Sequence, residues 1–224
     1  MDQHLVDSAS LLPFWNKLSE ADKALITNHS MIHKFQHNTV IHHGDDGHPG
    51  FFLVLKGTVR ACLISNKGRE ITLFRLQQGD FCSLSPCGVI SQIAFDTSLT
   101  AISDVEALKI EPYAFTKILS SNIHVRCFFF ELMAKRFSQV MWIMQQILFW
   151  GVDKRMASYF LSEYQRSGKP VIRMTQEELS VEINTAREVI ARMLTRFTKE
   201  KIIEANRGEI YLTDIERLKR LAAA

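Results

Sequence analysis

Hydrophobic positions follow three successive patterns along the chain, and each pattern predicts a different kind of structure. From Leu12 to His29, apolar residues recur every three or four positions, which is typical of an amphipathic helix. From about Met31 to Glu111, short apolar runs alternate with turn residues such as Lys56-Gly57 and Gln78-Gly79-Asp80. These runs predict strands at Val40-Ile41, Phe51 to Leu55, Thr58 to Ile64, Glu70 to Leu76, Ser98 to Ile102 and Ala107 to Ile110. Strands so closely spaced predict a compact antiparallel roll.

The second pattern, from about Pro112 to Arg166, is helical and carries a heptad repeat. Its seam has apolar residues spaced alternately three and four apart: Phe130, Met133, Phe137, Val140, Met144 and Ile147. A second apolar face, with Phe129, Leu132 and Ile143, is predicted to lie on the roll. A helix that is apolar on two faces needs two partners, so the seam predicts a homodimer. The alternative is a seam that packs only within its own chain.

The third pattern, from about Val171 onward, predicts a helix-turn-helix followed by a hairpin. Thr175 and Glu178 have the spacing of a capping box, which starts a short helix. Asn184 suits the left-handed turn between the two helices. The run from Thr185 to Glu188 has the spacing of a second capping box, and Asn206-Arg207-Gly208 suits the tip of a wing.

The second helix of this motif has a basic exposed face. Four basic residues and one acidic residue lie between Thr185 and Lys199. A basic, polar helix face of this kind fits the major groove of double-stranded DNA. The alternative is a solvated face with internal ion pairs, such as Glu188 with Arg192. The candidate DNA-binding residues are Thr175, Thr185, Arg187, Glu188, Arg192, Arg196, Lys199 and Arg207.

Composition adds limits on the class of protein. The chain has 224 residues, 46% hydrophobic and 23% charged, with a net charge of +3, which is ordinary for a globular protein. No signal peptide and no stretch long enough to span a membrane is visible, and the four cysteines are sparse. No nucleophile, metal-protease or P-loop motif is present. We therefore expect a cytoplasmic protein that is not an enzyme and has no membrane partner.

These motifs together resemble the Crp/Fnr superfamily of bacterial transcription regulators over nearly the whole chain, from Phe14 to Asp214. The runs Phe51 to Val59 and Leu76 to Phe81 are similar to the glycine-punctuated strands of cyclic-nucleotide-binding rolls. Arg187, Glu188 and Arg192 match the Arg-Glu-x-x-x-Arg signature of the family's recognition helix. The resemblance implies that Arg187 contacts guanine, Glu188 accepts from cytosine, and Arg192 contacts a base or a phosphate. It also implies RNA polymerase as a partner and a palindromic operator.

The effector of the predicted roll is harder to assign. No Lys or Arg occurs from Leu76 through Leu108, so a cyclic phosphate would lack a cation there, which argues against cAMP. The N-terminal cysteine cluster of the iron–sulfur branch is absent, because the first cysteine is Cys62. The cofactor stays unknown, with haem, a metal ion and thiol redox chemistry as open alternatives. The candidate pocket residues are Phe81, Cys82, Ser83, Leu84, Ser85, Cys87, Phe95, Asp96 and Phe129.

A pair of cysteines and a group of histidines are the residues on which these alternatives depend. Cys82 and Cys87 would close a disulfide or bind a soft metal, or else are inert core thiols. The histidines at His29, His33 and His37, spaced as on one helix face, would hold zinc or haem, or else are unconnected and exposed. Neither pattern is a metal signature, and we assign no metal ligand.

The sequence thus predicts an α+β protein in three parts. Residues 1–120 are predicted to form an effector-sensing, cyclic-nucleotide-binding-type β-roll, or jelly roll. Residues 121–150 are predicted to form a long dimerisation helix, and residues 151–224 a winged helix-turn-helix. The predicted function is sequence-specific transcription regulation by a homodimer under effector or redox control. The alternative is a ligand-binding regulatory module that acts through protein contacts.

Overall fold

The computed structural model describes residues 3–43, 51–65, 70–83 and 97–223 of the chain. These residues divide into two compact units. One unit contains Met1–Arg69 and Leu73–Val140, and the other contains Glu70–Thr72 and Met141–Ala224. No helix in the described ranges is both long enough and apolar enough to cross a membrane.

The first unit begins with helices and continues as a double-sheet roll. Its helices are α1 (Gln3–Ser10), α2 (Glu20–Asn28), α3 (Pro112–Ser121) and the long α4 (Ile123–Phe149), whose last residues belong to the second unit. Its strands are β1 (Ser30–Phe35), β2 (Val40–His42), β3 (Phe51–Lys56), β4 (Val59–Ile64), β5 (Glu70–Leu76), β6 (Phe81–Ser83), β7 (Thr97–Ala101) and β8 (Val105–Ile110). One sheet has the order β1-β8-β3-β6 and the other β2-β7-β4-β5. All six predicted strands are present, and β1 with β8, β2 with β7, β3 with β8 and β4 with β7 pair antiparallel.

Two apolar cores lie on opposite faces of the first sheet. Alternate strand residues such as Leu53 and Leu108 pack with α2, α3 and α4 on its outer face. Their neighbours, such as Phe52 and Ala107, pack with residues of the other sheet inside the roll. This alternation follows from the period of two along a strand. Gly57 makes the tight β3–β4 turn, because its φ is +88° and a Cβ there would lie 2.2 Å from the Asp104 carbonyl oxygen.

The prediction of one helix from Leu12 to His29 is wrong for the first half of that range. Residues Trp15–Lys17 form a 3-10 turn, and α2 begins only after Ser19, whose hydroxyl accepts a hydrogen bond from the Asp22 amide. The spacing of Leu12, Phe14 and Leu18 comes from core packing, since all three are buried. The strands β1 and β6 are present in addition to the predicted ones.

The second unit is a winged helix-turn-helix. It contains α5 (Val152–Ser167), β9 (Val171–Arg173), α6 (Gln176–Glu182), α7 (Arg187–Lys199), β10 (Ile203–Asn206), β11 (Glu209–Leu212) and α8 (Ile215–Ala223). The predicted wing hairpin is present as β10 and β11, but β9 joins it to make the three-stranded order β10-β11-β9. Neither β9 nor α8 was predicted. A separate core, including Phe160, Leu179 and Phe197, holds the helices and the sheet together.

Candidate nucleic-acid interface

The first helix of the motif, α6, begins as the sequence predicts. The Thr175 hydroxyl accepts from the Glu178 amide at 3.1 Å, and the Glu178 carboxylate accepts from the Thr175 amide at 2.6 Å. Both halves of the capping box are therefore formed. Asn184 adopts the left-handed conformation at φ 54°, which turns the chain from α6 toward α7.

The prediction of a second capping box, from Thr185 to Glu188, is wrong. Helix α7 has Ala186 at its N-cap, one residue later than Thr185, and no side chain caps it. Arg187 is consequently the first residue of α7. Its side chain is exposed at the helix N-terminus, where it lies beside the wing.

A basic residue from α5 supports the turn, and sequence reasoning missed it. The Arg155 guanidinium donates to the Ile183 carbonyl at 2.7 Å and to the Asn184 carbonyl at 3.2 Å. These contacts satisfy carbonyls at the end of α6 that the helix itself leaves without partners. Nothing in the local sequence marks Arg155 for this role, because the contact spans 28 residues.

The exposed face of α7 carries charges that no other described residue neutralises. Arg187, Glu188, Arg192 and Lys199 are exposed, and none forms an ion pair with another described residue. The alternative pairing of Glu188 with Arg192 is therefore absent from the described part of the chain. Arginine and glutamate side chains presented on one helix face are able to read guanine and cytosine edges in a major groove.

Arg196 is placed differently from the other predicted DNA contacts. Its guanidinium lies 3.2 Å from the Asp153 carboxylate and 3.1 Å from the Glu200 carboxylate. Glu200 also pairs with Arg217 at 2.9 Å. This network ties α5, α7 and α8 together, and Arg196 is only partly exposed. The geometry does not support a DNA contact for Arg196, because both of its neighbours already neutralise its charge.

A groove of about 690 Å³ runs between α6, the start of α7 and the wing. Thr175, Arg187 and Arg207 line it together, so the structure brings three of the predicted site residues to one surface. Thr185 is half-buried in the turn and is not part of this lining. The groove combines exposed arginines with an apolar floor that includes Leu194 and Ile210.

Two of the predicted effector residues that the structure describes, Phe81 and Cys82, lie on opposite faces of the first sheet. Phe81 and Phe129 are buried in the core between the first sheet and the helices, whereas Cys82 faces the interior of the roll. Adjacent residues of β6 point to opposite sides, and this separates Phe81 from Cys82. Ser83 ends β6. The remaining candidates, Leu84, Ser85, Cys87, Phe95 and Asp96, lie outside the described residues.

Cys82 is a buried thiol paired across the sheet with Phe52. Burial raises its pKa to about 12, and Asp80 adds to this, although the nearby Arg136 guanidinium opposes it. A thiol with such a pKa is almost entirely protonated at neutral pH, so it is a poor nucleophile. The position of Cys87 lies outside the described residues, so the predicted disulfide is not tested.

The histidines do not share a helix face. His29 follows the last residue of α2 and lies 2.8 Å from the Glu111 carboxylate, whereas His33 lies in β1. No group of three metal-binding side chains occurs among residues whose structure is described. The i, i+4, i+8 spacing was therefore misleading, because the chain changes from helix to strand at Ser30.

The long helix α4 presents an apolar stripe to solvent. Val125, Phe129 and Leu132 are buried against the roll, while Phe137 on another face is 67% exposed. Of the predicted seam, Phe130, Phe137 and Met144 are exposed, and Met133, Val140 and Ile147 are half-buried. Met141 and Leu148 extend the exposed stripe. A stripe with this heptad spacing is typical of a helix that pairs with another helix.

Both units match known protein families. Residues 32–122 match the cyclic nucleotide-binding domain, and residues 154–221 match the Crp-like helix-turn-helix domain. A crystal structure of a protein assigned to the Crp/Fnr regulators, from Eubacterium rectale, is 35% identical with a TM-score of 0.87. That similarity covers 96% of this chain and 100% of the other.

More distant relatives agree with this assignment. The cAMP-activated global transcriptional regulator CRP of Pasteurella multocida is 23% identical over 187 residues, 80% of this chain and 88% of that protein. The structure of the c-di-GMP responsive global regulator CLP of Xanthomonas campestris is 14% identical with a TM-score of 0.72. It covers 87% of this chain and 99% of that one, and at this identity it shows the fold alone.

Proposed function

Because the chain belongs to the Crp/Fnr family of DNA-binding transcription regulators, we propose that it binds a palindromic operator as a homodimer under effector control. The observation that carries this proposal is the exposed face of α7. Arg187, Glu188 and Arg192 stand there without ion-pair partners among the described residues, next to a wing that carries Arg207. We place this activity in the cytoplasm and propose RNA polymerase as a further partner.

The residues of α7 divide into two roles in this proposal. Arg187 and Glu188 lie in the first turn of α7, where they reach base edges, and Arg192 contacts a base or a phosphate. Lys199 ends α7 and contributes a phosphate contact, as Arg207 does from the wing. Thr175 at the start of α6 supports the register of the motif on DNA. This division follows from the positions of these residues along α7 rather than from charge alone.

The apolar stripe on α4 supports the homodimer. A palindromic operator needs two copies of α7 related by a two-fold axis, and a helix pair along α4 supplies such an axis. Exposure of Phe137 and Met144 to water would otherwise leave a large apolar surface on one chain. Since the stripe keeps a heptad spacing, its partner in this proposal is α4 of a second copy.

An effector that binds the roll completes the proposal. The match of residues 32–122 to the cyclic nucleotide-binding domain supports the roll as its location, and the nature of the effector is left open between haem, a metal ion, a small molecule and thiol oxidation. The buried, protonated state of Cys82 disfavours the redox route. Effector control is proposed to act by shifting the population between two arrangements of the recognition helices.

Two single variants test the DNA-binding proposal. DNA sites are selected from a random pool with the full chain, and affinities are then measured across a range of salt concentrations. Arg187→Ala should weaken specific binding by on the order of 1–3 kcal/mol and relax the base preference. Lys199→Ala should weaken specific and random DNA alike and reduce the salt dependence. Equal losses for both variants on both kinds of DNA would contradict the two roles.

A further inference from the structure

The turn of the helix-turn-helix is held by a strand as well as by Arg155. Three residues of β5, Glu70–Thr72, belong to the second unit, although the rest of that strand does not. The Thr72 amide donates to the Asn184 side-chain carbonyl at 2.8 Å, and the Asn184 side-chain amide donates to the Thr72 carbonyl at 3.4 Å. Both hydrogen bonds are buried, and they join positions 112 residues apart in the chain.

The Asn184 side chain takes the place of a neighbouring strand. β5 is the last strand in the order β2-β7-β4-β5, so one side of its backbone has no described strand beside it. A carboxamide carries the same N–H and C=O groups as a peptide bond, and here it pairs with both backbone groups of one strand residue. Asn184 is buried, and these two partners replace the water that its polar side chain has lost.

The backbone of the same turn is held by other groups. The Asn184 carbonyl accepts from Arg155 at 3.2 Å, and the Ile183 carbonyl accepts from the same guanidinium at 2.7 Å. The Thr72 hydroxyl donates to the Val181 carbonyl at 3.5 Å. The turn is therefore fixed through both its backbone and the side chain of Asn184.

The position of this turn matters because the recognition helix begins directly after it. Ala186 is the N-cap of α7 and Arg187 is its first residue, so the turn sets where the first turn of α7 lies. Contacts to base edges need their donors within about half an ångström of the right geometry. Contacts to phosphates depend mainly on charge and tolerate a larger displacement. A loosened turn should therefore reduce sequence specificity before it reduces affinity for random DNA.

We infer that Asn184 is a positioning residue for DNA recognition, because its side chain fixes the turn on the backbone of Thr72 and so orients α7 for base contacts. The inference rests on the proposed function, since it assumes that α7 binds DNA. It adds that the first residues of β5 belong to the DNA-reading part of the protein. It also adds that sequence specificity, rather than the electrostatic attraction to DNA, depends on this contact.

Three variants isolate the contact. Asn184→Gly removes the side chain, and glycine adopts the φ of 54° at this position without strain. Asn38→Gly is the matched control, because Asn38 has the same left-handed conformation, at φ 66°, and is exposed between β1 and β2. Thr72→Val is the second control, because it removes the hydroxyl but keeps the backbone groups that pair with Asn184.

Hydrogen exchange measures the contact without DNA. In the parent protein the Thr72 amide should exchange slowly, because it donates to a buried acceptor. In Asn184→Gly it should exchange at least about tenfold faster, and in Asn38→Gly its rate should be that of the parent. Slow exchange of this amide in Asn184→Gly would overturn the inference, since the side chain would then not be what holds the strand.

DNA binding measures the consequence. Affinities of the full chain for the selected DNA and for random DNA are compared across a range of salt concentrations. Asn184→Gly should bind the selected DNA at least about tenfold more weakly, with its affinity for random DNA within about twofold of the parent. Both controls should keep the parental ratio of the two affinities. Circular dichroism at the same temperature verifies that each variant is folded.

The outcomes separate this inference from the proposed function. Specific binding by the parent protein with an unchanged ratio in Asn184→Gly, or with equal losses on both kinds of DNA, would overturn the inference alone. A loss of specificity in Thr72→Val as large as in Asn184→Gly would also overturn it, because that variant keeps the backbone pairing. Failure of the parent protein to bind any selected DNA would overturn the proposed function as well.

Discussion

The capping box of α6 shows how much a single side chain contributes to the recognition motif. The Thr175 hydroxyl and the Glu178 carboxylate each satisfy a backbone amide that the helix leaves free. Thr175→Ala removes one of these bonds and should lower the free energy of unfolding by about 1 kcal/mol. Urea unfolding at neutral pH measures the change, and Thr195→Ala, whose hydroxyl lies on exposed α7, is the control. An equal loss in the two variants would argue against a special role for the cap.

The cysteines differ in exposure, and this predicts their reactivity. Cys127 on α4 is exposed, while Cys62 and Cys82 are buried. Because burial raises the pKa of Cys82 to about 12, its thiolate is scarce at neutral pH. A thiol reagent should therefore modify Cys127 quickly in the native protein and Cys82 only on unfolding, as read by peptide mass spectrometry. Rapid modification of Cys82 in the Cys127→Ser variant would instead favour a redox function.

At the scale of an element, the β1-β8 pair predicts a pH dependence of stability. The pKa of His33 is lowered in the folded protein, first by burial and then by Lys109, from an ordinary value near 6.5. Below that pH the unfolded chain binds a proton that the folded chain resists, so stability falls as the pH drops through this range. Above it, His33 is neutral in both states and contributes no pH dependence.

Two variants in this strand pair check the sign. His33→Gln should remove the part of the stability loss on acidification that comes from His33. Lys109→Met should reduce that part, because it removes the second cause of the lowered His33 pKa. Urea unfolding on either side of the ordinary histidine pKa gives the comparison. His124→Gln, an exposed histidine at the start of α4, is the control. A larger acid sensitivity in His33→Gln than in the parent protein would show that the sign is wrong.

At the scale of the whole molecule, the exposed stripe of α4 predicts the oligomeric state. Phe137→Glu combined with Val140→Glu places like charges at a helix pair, and the dimer dissociation constant should rise at least about a hundredfold. Sedimentation equilibrium measures this constant. Since Phe137 is exposed in one chain and Val140 half-buried, the variant should still fold, which circular dichroism verifies.

A matched control uses the flank of the same helix. Ser138→Glu with Gln145→Glu adds the same two charges at exposed positions away from the centre of the stripe. This control should remain dimeric and bind the selected DNA. A stripe variant that sediments as a dimer and binds DNA normally would contradict the dimer proposal.

The sequence by itself determined the features that depend on local chemistry. The period of two predicted six strands of the roll, and the capping box at Thr175 predicted the start of α6. Asn184 was predicted to take the left-handed turn, and it does. The heptad spacing predicted a long helix that is apolar on two faces, and α4 has one buried and one exposed apolar face. These features are local because turns, caps and periodicity act within a few residues.

The tertiary structure alone decided which side chains meet. Arg155 donates to the turn of the helix-turn-helix, and Arg196 pairs with Asp153. Both contacts join positions that are far apart in the chain. The N-cap of α7 is Ala186 and not the predicted Thr185, because the turn geometry, rather than a matching spacing of residue types, selects the N-cap. The effect of the Lys109 charge on His33 likewise depends on the pairing of β1 with β8. Such contacts depend on long-range packing, which no local pattern of residues encodes.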